Sequence, residues 1–134
     1  LWKCPSCGRQ FPKKNQRHSC TSYSIDDHFR DRPISLEETF NFLIAQIRKR
    51  CGPLRVDSVK TAINLTNRYH FAMVYVRKSM LNLEFVLGRV LDDQRVVRTQ
   101  KLGTRHVHVV RLCQPEDVDT QLLSWLQEAY ALAT

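Results

Sequence analysis

The sequence has no apolar run approaching the eighteen or so residues that a membrane-spanning helix requires, so no membrane partner is expected. Its N-terminus lacks the charged, then apolar, then small-residue pattern of an export signal. The chain begins at Leu1 rather than Met, which leaves room for a missing initiator or short leader. Cysteine is scarce and odd in number, five in 134 residues, which argues against a disulfide framework and for a reduced, cytoplasmic compartment. A glycine-rich phosphate loop, a nucleophile elbow and a His-Glu-x-x-His pair are all missing. The common enzyme signatures are thereby removed, and a non-catalytic role is expected.

Acid is missing in one place above all. The first twenty residues carry Lys3, Arg9, Lys13, Lys14 and Arg17 and not one Asp or Glu. All thirteen acidic residues lie beyond them, against sixteen of the twenty-one basic ones. The net charge of +8 is therefore concentrated at one end, where it favours association with polyanions.

That end reads "CPSCGRQFPKKNQRHSC", with Cys4, Cys7, His18 and Cys20 as candidate ligands. Two cysteines two residues apart can place both sulfurs on one ion when the backbone turns tightly, and Gly8 supplies the conformational freedom for that turn. His18 and Cys20 share a face only on extended backbone, because on a helix they would diverge by about 200°. The spacing thus departs from the DNA-reading finger, whose helix carries its histidines three to five residues apart. A redox Cys-x-x-Cys would open a helix, and it has no need of two further ligands. We therefore expect a closed, structural Zn²⁺ site, a knuckle spanning residues 1–22 that is too short to fold without a staple. Between the ligands, Phe11 stands among Arg9, Lys13, Lys14 and Arg17. Such a group either packs beneath the metal or contacts phosphate and stacks a base.

Residues 23–134 read as a small α+β domain. Ser24 can cap one helical turn that docks through Ile25 and Phe29. Ser35 and Glu38 form a capping-box pattern ahead of Leu36, Phe40, Leu43, Ile44 and Ile47, which recur at helical spacing. Gly52–Pro53 ends that helix. Strands are expected at 54–60, 69–77, 82–87, 95–100 and 105–112, divided by short turns that suit an antiparallel meander. A last helix is expected from Pro115, with Val118, Leu122, Trp125, Leu126 and Ala129 facing the core. The expected architecture is an antiparallel sheet of about four to five strands covered by N- and C-terminal helices.

Within the strand at 69–77, alternation puts Tyr69, Phe71, Met73, Tyr75 and Arg77 on one face and His70, Ala72, Val74 and Val76 on the other. The small, branched set suits packing under the helices. Tyr75, Arg77 and Lys78, with His106 nearby, then make a candidate pocket for an anion or base, unless the aromatics are simply buried. His106 and His108 share a strand face but have no third ligand close in sequence.

The stretches "DDHFRDRP", "YHFAMVYVRKSMLNLEFVL" and "HVHVVRLCQPEDVDTQLLSWLQEAY" resemble the domain-of-unknown-function family 5655. That resemblance implies an α+β fold, a cytoplasmic protein of bacterial type and, in some members, a similar cysteine–histidine segment ahead of the domain. It implies no activity. The fusion of some relatives to nuclease-like domains points toward nucleic-acid-related roles. Three readings follow: a nucleic-acid-binding module, a protein-interaction module whose zinc only staples the N-terminus, and an enzyme or small-ligand binder using the sheet-face pocket.

Overall fold

The computed structural model describes residues 1–5, 8–17 and 23–134. A two-stranded hairpin, β1 (Trp2–Lys3) with β2 (Gln10–Phe11), precedes a short helix α1 (Ile25–Phe29) and a long one, α2 (Ile34–Arg50). Six strands follow: β3 (Arg55–Ser58), β4 (Ile63–Thr66), β5 (His70–Val76), β6 (Leu81–Leu87), β7 (Arg98–Leu102) and β8 (Arg105–Leu112). A 3-10 turn at Pro115–Asp117 leads into α3 (Thr120–Leu132). The six strands form one antiparallel sheet in the order β3-β4-β5-β6-β8-β7. Among the described residues, no helix is long and apolar enough to cross a membrane.

One face of the sheet is covered. Leu36, Phe40, Leu43 and Ile47 of α2 and Leu122, Leu126 and Ala129 of α3 are buried in a single core. The sheet supplies Ile63, Leu65, Val74, Leu83, Phe85 and Val110 to the same core. Strict alternation along β6, with Leu81, Leu83, Phe85 and Leu87 all buried, is the pleat expressed in sequence. Among the described residues, the opposite face carries no helix.

The α+β class agrees with the sequence expectation, but the main sheet has six strands rather than four to five. The extra one is β4, four residues long and bearing Asn64 and Thr66, too short and polar to announce itself. Its Ile63 and Leu65 are nonetheless fully buried. β7 starts at Arg98, not at 95. Arg95 is drawn out of the ladder by Asp119, 2.7 Å away, and by the carbonyl of Asp117.

Both long helices start differently from expectation. Pro33 is the N-cap of α2, and its carbonyl accepts from the Leu36 amide at 3.0 Å. Ser35 therefore sits inside the first turn, too deep to cap, and its carbonyl accepts instead from the Thr39 hydroxyl at 2.6 Å. At the other end Pro115 opens the 3-10 turn. The Asp119 carboxylate then caps α3, accepting from the Leu122 amide at 2.9 Å. The cap at Ser24 forms as expected, and Phe29 packs on Phe40 with ring centroids 5.4 Å apart.

A bulge corrects the face assignment in β5. Leu65 pairs with Ala72 while Thr66 pairs with His70, so Phe71 is the extra residue. It leaves the Tyr69–Arg77 face and packs edge-on against Tyr130 of α3, 5.3 Å away and 1% exposed.

His108 lies wholly within the core, stacked on Phe85 at 5.5 Å, and its Nε2 accepts from the Leu91 amide at 3.0 Å. That bond requires the neutral ring with its proton on Nδ1. Burial depresses the imidazolium pKa, opposed in part by the backbone of His106 and Phe85. A histidine whose folded pKa lies below its unfolded value binds more protons when unfolded. Its contribution is complete above the unfolded pKa of about 6.5 and is lost as pH falls toward the folded value. Urea unfolding should therefore show stability falling below about pH 6.5, with a shallower slope in His108→Phe. Equal slopes in the two proteins would dismiss His108 as the cause.

Candidate functional site

The candidate metal segment begins with a small hairpin. Trp2 pairs with Phe11 and Lys3 with Gln10. At the tip, the Cys4 amide donates to the Arg9 carbonyl and the Gly8 amide donates to the Cys4 carbonyl, each at 2.8 Å. Gly8 adopts φ +77, the left-handed region that glycine enters without strain. Cys4 is buried, at 4% exposure. Of the other candidate ligands, Cys7, His18 and Cys20 lie outside the described residues. A cysteine held at the start of a tight, glycine-closed turn fits one half of a Cys-x2-Cys zinc site.

Phe11 is half-buried, not hidden. Trp2 lies 6.1 Å away at 36°, and the Arg9 guanidinium sits over the ring at 6.0 Å. Lys13, Lys14 and Arg17 are exposed on the segment that follows.

The knuckle docks on the edge of the six-stranded sheet through Arg55 of β3. Its Nη1 donates to Gln10 Oε1 at 3.2 Å and its Nη2 to the Gln10 carbonyl at 3.5 Å, while Nε holds Asp57 at 3.0 Å. Between knuckle and sheet runs a groove of about 160 Å³ lined by Phe11, Pro12, Arg55, Arg68, Tyr69 and His70. The Arg68 guanidinium lies over the Tyr69 ring at 5.5 Å, and Tyr69 is 39% exposed. His70 is fixed by a 2.6 Å bond from its Nδ1 to the Thr66 hydroxyl. Two aromatic rings and two guanidiniums thus line one groove. Sequence reasoning missed Arg55 and Arg68, because only the docking of residue 10 on residue 55 brings them to Phe11. The neighbouring Arg68–Tyr69 pair was the one available signal.

On the helix-free face, the Arg77 guanidinium lies 5.2 Å above the Tyr75 ring. Lys78 is exposed in the turn beyond. His106 does not join them. It shares the covered face with buried His108, where Phe85 stacks on Trp125 of α3 at 6.0 Å. Burial, and then the charge of Glu84, push the Tyr75 phenol above its ordinary pKa, against Arg77 and Arg98. Tyr75 is therefore a neutral stacking surface and hydrogen-bond donor at neutral pH. Among the described residues this face holds no nucleophile paired with a base.

The family described as Domain of unknown function (DUF5655) matches residues 25–133. No curated protein and no solved structure matches the chain.

Proposed function

The chain belongs to the DUF5655 family, and from that premise we propose that it is a non-catalytic, zinc-containing module that binds single-stranded nucleic acid in the groove between knuckle and sheet. The observation that carries this reading is the convergence of Phe11 and Tyr69 with Arg55 and Arg68 in one groove beside an acid-free basic segment. Exposed rings accept any base by stacking, and guanidiniums and ammoniums follow the phosphates, so the expected binding is tolerant of sequence. Zn²⁺ on Cys4, Cys7, His18 and Cys20 would fix the hairpin fold, and four protein ligands leave no open position for chemistry. Gln10 then holds the hairpin on Arg55, which keeps Phe11 opposite Tyr69.

Reversing Lys13, Lys14 and Arg17 to Glu tests the reading without touching the core. If each contacts one phosphate, the slope of log affinity against log salt should fall by about 2, with affinity about a hundredfold lower near 0.1 M salt. Fluorescence anisotropy with a labelled single strand measures both. Unchanged binding would remove the knuckle from the interface and favour a protein partner, for which the zinc only staples the N-terminus.

A further inference from the structure

Three guanidiniums from separate parts of the chain converge on the helix-free face, away from the groove. Arg77 follows β5, Arg98 lies on β7 and Arg111 on β8, and all three line one cavity of about 220 Å³. Strand register builds its floor. Tyr75, Asn82 and Arg111 stand in one cross-strand row, and Met73, Glu84, Val109 and Arg98 in the next. Arg98 and Arg111 are thus set on paired strands, and Arg77 on the turn that follows β5.

The charge in this cavity is poorly balanced. Glu84 is its single acid, largely covered, and it reaches Arg98 only at 3.9 Å, the outer limit of an ion pair. Arg77 and Arg111 have no acidic partner within that limit among the described residues. Three guanidiniums against one carboxylate leave two positive charges uncompensated. Asn82, which also lines the cavity, has its Oδ1 buried without a hydrogen-bond partner. A half-turn of that amide exchanges Oδ1 for Nδ2, making Asn82 a further donor to an anion. Buried polar groups are rarely left unpaired, so this amide has a hydrogen-bond position free.

We infer that this cavity binds a phosphomonoester, with the forked donors of Arg77, Arg98 and Arg111 around the dianion and Asn82 beneath it. Two uncompensated charges match a phosphate monoester dianion better than a carboxylate or an internal phosphodiester, which carry one each. Guanidinium forks suit phosphate oxygens bidentately. Val97 and Val109 also line the cavity and are its two apolar contacts for the esterified group. The ligand is a small phosphate ester or the terminal phosphate of a strand, and the two sources share this chemistry.

Calorimetric titration of the full chain with inorganic phosphate, and with an oligonucleotide bearing or lacking a 5′- or 3′-phosphate, tests the site. Saturable phosphate binding is expected in the wild type and in the Lys13, Lys14, Arg17 reversal, and at least tenfold weaker binding in Arg77→Gln/Arg111→Gln. Arg111→Gln alone leaves the Arg77–Tyr75 stack in place and should also weaken it, which guards against a folding defect in the pair. A terminal phosphate that raises affinity in the wild type but not in the double variant assigns the strand end. Phosphate binding without that gain assigns a small ester. No saturable binding up to about 10 mM phosphate, or equal binding in wild type and variants, overturns the site.

Discussion

Stripping zinc from the full chain is expected to unfold residues 1–22 while the six-stranded sheet and its helices stay intact. The two parts stand on different energies. Residues 23–134 bury a core of their own, from Phe29 to Ala133. Among its described residues the N-terminal segment shows a pair of two-residue strands, buried Cys4 and a tilted Trp2–Phe11 contact. On the proposed zinc site, a segment that small would be held by the metal, whose apparent binding energy in finger peptides is about 10–16 kcal/mol at neutral pH. Two tryptophans make the experiment direct, since Trp2 reports the hairpin and Trp125, at 8% exposure, reports the core. Chelation, or Cys4→Ser, should collapse the indole NMR signal of Trp2 toward its random-coil position and leave that of Trp125 in place. Loss of the Arg55–Gln10 bonds should follow, and the groove should open. If Trp2 keeps its native signal without metal, or the purified chain carries far less than about one zinc, the four-ligand site is wrong.

Phe85→Ala should be the most damaging single truncation in the main domain, at about 3–5 kcal/mol. The ring is fully buried at the middle of β6. It lies between two flat neighbours, His108 at 5.5 Å and Trp125 at 6.0 Å, both near-parallel. Removing it deletes apolar area and leaves a cavity that the paired strands on either side cannot close. The loss is a large share of the 5–15 kcal/mol by which a typical domain is stable. Phe42→Ala provides the contrast, since Phe42 is 39% exposed on α2 and its loss should stay within about 0.5 kcal/mol. Urea midpoints of both variants check this. A loss below about 1.5 kcal/mol for Phe85 would mean the stack contributes little beyond filling space.

The parts of the fold that show in the sequence are those where periodicity and burial coincide. β6 alternates without a break, and α2 repeats Leu36, Phe40, Leu43 and Ile47 along one stripe. Where tertiary contacts override local pattern, the sequence misleads. The bulge sends Phe71 inward against the period-2 rule, and Arg95 leaves its strand for a carboxylate twenty-four residues away. β4 was hidden because four residues carry too little pattern.

The candidate sites divide in the same way. Cys4, Gly8 and the acid-free run are local features and were readable. Tyr75 and Arg77 are neighbours on one strand face and were readable too. Arg98 and Arg111 join them only because β8 inserts between β6 and β7, an order that no local pattern encodes. Arg55 and Arg68 reach Phe11 only through docking across 45 residues of sequence.

The central claim is that the basic knuckle and the sheet edge together hold a single nucleic-acid strand. Its most direct test is the affinity of the zinc-loaded full chain for a single-stranded oligonucleotide, measured across salt concentrations. The account predicts a log–log slope of about −3 or steeper, consistent with four or more phosphate contacts, and a large loss of affinity on chelation. A slope near zero, or binding indifferent to the removal of zinc, would contradict it.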